Sequence, residues 1–160
     1  LLASPAFWWC RLSVLAIAAS GGPRTLHRIV PVTAACLRPG RGATLIAYVP
    51  MGKACRHGAA AADCSLEVID LRSLSPLDFP VLFESVRRTR RAIVVHEAPS
   101  FVGLGAEIAA RLSEELYYEM EAPVLRVTGF DTPYPPSRVE EEYLPDLDRV
   151  LHAVDRSRGF

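Results

Sequence analysis

The 160 residues, half of them apolar and 22% charged, suffice for one domain with its own core. Eighteen basic and eighteen acidic residues cancel to a formal net charge of zero. That excludes a net field drawing the chain to nucleic acid or anionic lipid.

Residues 1–42 carry no sustained period. Leu12 to Ala19 is apolar and runs into Ser20-Gly21-Gly22-Pro23, the outline of a secretory segment. Yet the sequence opens on Leu1, only Arg11 precedes the run, and the run is far too short to span a bilayer. The expectation is an irregular N-terminal segment, 1–42, on a truncated or frame-disrupted chain, ahead of a regular domain, 43–160. The four cysteines, Cys10, Cys36, Cys55 and Cys64, lack C-x-x-C spacing or a histidine pair, which argues against zinc and against a disulfide framework. Reduced thiols in a cytoplasmic protein are expected.

From Ala43 the pattern becomes regular. Thr44 to Tyr48, Leu66 to Ile69, Ala92 to Val95 and Val124 to Val127 read as strands, the middle ones buried on both faces. Between them lie helical patterns. Lys53 to Ala62 is helix-permissive but weakened by Gly52 and Gly58. Asp78 to Thr89 spaces Phe79, Leu82, Phe83 and Val86 for a helix, with Asp78 as N-cap before Pro80. Arg87, Arg88, Arg90 and Arg91 follow at its end, where cations suit the helix dipole; a solvated surface is the plain reading.

Leu104 to Met120 carries an apolar stripe at four-residue steps, with Glu107 and Arg111 as an i,i+4 pair. Thr132 to Pro136 is an extended proline-rich loop. Asp146 to Val154 closes the chain as a helix. Alternating strands and helices predict a three-layer αβα domain around a mostly parallel sheet.

Such sheets gather ligands at the carboxyl ends of their strands. His96 and Glu97 lie there, but neighbours on a strand point to opposite faces and do not converge for acid–base catalysis. Gly103-Leu104-Gly105 at a helix start lacks the third glycine of a phosphate cradle, and close packing explains it better. Ser75 and Ser100 have no evident histidine partner. The residues alone assign no catalytic, cofactor-binding or metal site.

Three blocks, in order, carry a resemblance. They are Leu66-Glu-Val-Ile-Asp-Leu-Arg-Ser-Leu-Ser-Pro-Leu-Asp78, then Val94-Val-His-Glu-Ala-Pro99 with Gly103-Leu-Gly-Ala-Glu-Ile-Ala-Ala110, then Glu121-Ala-Pro-Val-Leu-Arg-Val-Thr-Gly-Phe-Asp-Thr-Pro-Tyr-Pro135 leading to Tyr143-Leu-Pro-Asp146. Over Ala34 to Val154 the chain resembles the C-terminal, transketolase-like domain of the beta subunit of thiamine-diphosphate-dependent 2-oxo acid dehydrogenases, branched-chain or pyruvate type.

The resemblance implies an α₂β₂ decarboxylase that holds thiamine diphosphate and magnesium in the full complex. The activating glutamate belongs to a pyrimidine domain absent here, so this chain alone is expected to bind no cofactor and to be inactive. The implied partners are the alpha subunit, a second beta subunit and the dihydrolipoyl acyltransferase. For docking the acyltransferase, the resemblance implies Glu121 and the carboxylate of Phe160. Alternatives are a non-catalytic docking module and a relative of transketolase or deoxyxylulose phosphate synthase. Departures from the family pattern are unmatched residues 1–33, Val49 in place of a glycine, and the glycines at 52 and 58.

Overall fold

Four β-branched or apolar runs and one further strand form the centre of the molecule. The structure is a computed structural model that describes residues 34–48 and 51–160. Its strands are β1 (Ala35–Arg38), β2 (Ala43–Ala47), β3 (Leu66–Asp70), β4 (Ala92–Pro99) and β5 (Leu125–Gly129), in the order β1-β3-β2-β4-β5. β3, β2, β4 and β5 run parallel, and β1 pairs antiparallel with β3.

The helices are α1 (Met51–Ala61), α2 (Phe79–Thr89), α3 (Leu104–Leu116), the short α4 (Glu140–Tyr143) and α5 (Leu147–Arg158), with a 3-10 turn at Ser137–Val139. The three-layer α/β architecture is the one the alternation predicts. β1 was not predicted. It precedes residue 43, and most of the segment 1–42, including Cys10, lies outside the described residues.

Strand alternation sorts the core into two layers. Leu45, Val68, Ile93 and Val95 pack towards Cys55 of α1 and Val150 and Val154 of α5. Ile46, Ile69 and Val94 pack towards Leu82 and Val86 of α2 and Ile108 and Leu112 of α3. Each such side chain, fully buried, stabilises the fold by about 1.5–3 kcal/mol. Both faces of β2 are buried throughout. Burial also pushes the Cys55 thiol up to about 12, so it stays protonated.

Two polar groups inside the second layer, Thr44 and Glu67, are paired. Thr44 Oγ1 lies 2.8 Å from Ser85 Oγ and 2.7 Å from Thr89 Oγ1, stapling β2 to α2. Glu67 of β3, almost wholly buried, accepts from Arg88 of α2.

Several local expectations need correcting. Gly52 and Gly58 do not interrupt α1. A Cβ at Gly58 would sit 3.1 Å from Val150 Cγ1, so that glycine lets α1 and α5 approach closely. Asp78 occupies the N-cap position of α2 without capping it; its carboxylate accepts from Ala34 N–H at 3.2 Å. Among the described residues Arg111 makes no ion pair with Glu107; its guanidinium lies 5.0 Å over the Phe79 ring. α3 ends at Leu116, four residues early, in a turn where Met120 N–H donates to Leu116 O. Among the described residues no helix is long and apolar enough to cross a membrane.

Candidate functional sites at the two sheet edges

The carboxyl edge of the sheet is where α/β folds bind ligands, at the point where strand order reverses. β2 and β4 are neighbours, and the chain passes from β2 outward to β3 before crossing back to β4. The reversal therefore lies between Tyr48 and His96. A stack of those two rings fills it, with centroids 5.5 Å apart and planes 13° apart. Tyr48 is 5% exposed and His96 wholly buried.

His96 faces α3. A Cβ on Gly105 would lie 2.2 Å from His96 Nε2, and one on Gly103 2.9 Å from Cε1. The two glycines are therefore a close-packing device. Neither His96 ring nitrogen makes a hydrogen bond of normal geometry among the described residues. Burial holds its pKa below the ordinary value, opposed by the Ala98 backbone and reinforced by the Arg126 charge. Glu97, the next residue on β4, is half-buried. Its pKa is raised, by burial first and then by Glu140. Burial and Glu97 together push Tyr48 up to about 12. Among the described residues no hydrogen bond joins the histidine to the glutamate.

Next to this plug, the loop after β4 is pinned by Asp131. Its carboxylate accepts from Ser100 Oγ at 2.7 Å and from Phe101 N–H at 2.9 Å. These bonds hold the Asp131 pKa below the usual carboxylate range. Ser100 thus serves the loop and has no nucleophile's partner. Val102 follows with φ 59, a left-handed backbone that β-branched residues rarely adopt. Phe101 and Val102 project into solvent, 79% and 83% exposed, beside half-exposed Phe130 and Tyr134.

The amino edge of the sheet carries charge instead. Arg90, at φ 62, terminates α2. Glu121, just before β5, receives both Arg90 Nη1, at 2.9 Å, and Arg91 Nη1. Arg87 pairs with Glu115 and Glu119 at the end of α3, at 3.2 Å each. The arginine run is therefore a set of ion pairs to Glu115, Glu119, Glu67 and Glu121, made while Arg87, Arg88 and Arg90 stay about half exposed. Arg91 also reaches α5, its Nε donating to Ser157 O at 3.1 Å. Phe160, three residues on, is 64% exposed. Glu121 and the α5 terminus are thereby joined through one guanidinium. Sequence reasoning singled out Glu121 and Phe160, and it placed Arg91 in a basic run and Tyr48, His96 and Asp131 at the strand ends, but it missed what these residues contact. Those contacts span 30 to 66 residues and leave no local signal.

The profile of the family described as "Transketolase, C-terminal domain" matches residues 33–150. The chain is 50% identical over 123 residues to 3-methyl-2-oxobutanoate dehydrogenase subunit beta of Mycobacterium tuberculosis, covering 74% of this chain and 35% of that protein. It is 46% identical over 140 residues to the pyruvate dehydrogenase E1 component subunit beta of Leifsonia xyli subsp. xyli, covering 85% and 42%. To 2-oxoisovalerate dehydrogenase subunit beta of Pseudomonas aeruginosa it is 38% identical over 138 residues, covering 86% and 39%. A solved structure named "Split gene transketolase, inactive beta4 tetramer" superposes with a TM-score of 0.67 at 30% identity, covering 79% of this chain and 42% of that one. The chain thus spans between 35% and 42% of the length of these relatives.

Proposed function

We propose, from the premise that the chain belongs to the transketolase C-terminal domain family, that it serves as the C-terminal domain of a 2-oxo acid dehydrogenase beta subunit. The observation that carries this is the 50% identity to a 3-methyl-2-oxobutanoate dehydrogenase beta subunit over 74% of the chain. The whole assembly would decarboxylate a branched-chain 2-oxo acid or pyruvate oxidatively and pass the acyl group to a lipoyl acyltransferase in the cytoplasm.

Thiamine diphosphate supplies the carbanion chemistry in such an assembly. The residues described here do not fit it. The glycines at the start of α3 are taken up in packing His96, and among the described residues no three His, Cys, Asp or Glu side chains gather as metal ligands. The domain's own part is assembly and docking. Exposed Phe101, Val102, Phe130 and Tyr134 offer an apolar face for the alpha subunit or a second beta subunit. Glu121 and Phe160, at the opposite edge, would receive the acyltransferase's peripheral binding domain.

Titrating the chain with a peripheral-domain peptide at two salt concentrations tests the docking role. Binding should weaken as salt rises and fall roughly three- to tenfold in Glu121→Ala, the scale of one partly exposed charge at an interface. Absence of binding at both salt concentrations sinks this role.

A further inference from the structure

We infer that Arg91 is the positioning residue of the docking site, fastening Glu121 to the last turn of α5 so that both halves present themselves as one rigid unit. The inference rests on the docking reading for its partner, but the clamp itself rests on contacts within this chain. Arg91 is anchored from its backbone outward. Its carbonyl accepts from Thr44 N–H at 2.8 Å at the start of β2 and from Thr89 Oγ1 at 3.2 Å. The side chain then forks. Nη1 meets the Glu121 carboxylate, and Nε donates to Ser157 O.

Ser157 O is one of the terminal carbonyls of α5, which have no partner within the helix and carry the negative end of its dipole. A guanidinium satisfies both acceptors with separate N–H groups in a fixed plane. At 20% side-chain exposure, Arg91 is less screened than Glu121, at 36%. Arg90 shares Glu121 but reaches back only to Glu119 O, at 3.2 Å, so it does not touch α5. Without the fork, Glu121 and the segment ending at Phe160 would move independently, and a partner gripping both would have to order them on binding.

Two measurements on the full chain test this: affinity for the peripheral-domain peptide, and amide hydrogen exchange at Ser157 to Gly159. Arg91→Gln and Arg91→Lys should both weaken the peptide by roughly tenfold, because lysine restores the charge but not the fork. Both should speed exchange in that last turn. Glu121→Ala, which leaves Arg91 in place, should also speed exchange there, although it lies far away in sequence. An Arg91→Lys variant that binds like the parent chain would overturn the inference, as would an unaltered last turn in Glu121→Ala. If the parent chain does not bind the peptide, the docking reading fails. The exchange data then decide the clamp alone: faster exchange upholds it and unchanged exchange removes it.

Discussion

His96 concentrates the physics of the carboxyl edge. A neutral imidazole stacked on Tyr48 and pressed against Gly105 has no counter-charge to accept a proton. Its pKa is depressed on folding, so the unfolded chain protonates first. Stability is therefore full above the ordinary value of 6.5 and is lost as pH falls from there towards the depressed folded value. We expect the melting temperature to drop between about pH 7.5 and pH 5.5, and the drop to flatten in His96→Gln. An equally steep profile in that variant would show another group to be responsible. His96 and Glu97 were legible as neighbours at a strand end, and strand alternation argued against their acting together. That the histidine is a plug was not legible, because the plug needs Tyr48, just past the end of β2 and 48 residues earlier.

At the scale of elements, the sequence announced what periodicity controls and hid what pairing controls. β2, β3, β4 and β5 were visible as apolar runs, and the α3 stripe was visible at four-residue steps. β1 was not, since half of Ala35–Arg38 is exposed and its place depends on an antiparallel edge of β3. The turn that ends α3 early was equally hidden, because Glu121 N–H donates to Arg90 O, at 2.9 Å, on another element. The joint between β2 and α2 makes a testable case. Thr44→Val keeps the volume and removes the hydroxyl shared by Ser85 and Thr89. Thr89 retains Ser85 O and Arg91 O as acceptors, but Ser85 Oγ is stranded in the core. Urea unfolding should register a loss of about 1–3 kcal/mol with an unchanged m-value. A loss within experimental error would mean the buried hydroxyls are interchangeable with methyl groups.

For the whole molecule, the proposed division of labour makes this domain a support without chemistry of its own. Supplied with thiamine diphosphate and magnesium, the chain should not decarboxylate 3-methyl-2-oxobutanoate, with or without an added alpha subunit. Turnover by the chain alone would refute that and would require a site elsewhere in it. Between the two edges runs β4, eight residues from Ala92 to Pro99, about 25 Å at the rise of an extended strand. It starts beside the arginine clamp and ends at the plug and the exposed Phe101 loop. Its first five residues, Ala92 to His96, are buried, and its pairing with β5 shifts register only between Val95 and Pro99. A strand so enclosed acts as a strut between two attachment points. Whatever is tethered at one end is held at a fixed standoff from whatever is seated at the other. The reach of a carrier arm working between them would then be set by the length of one strand.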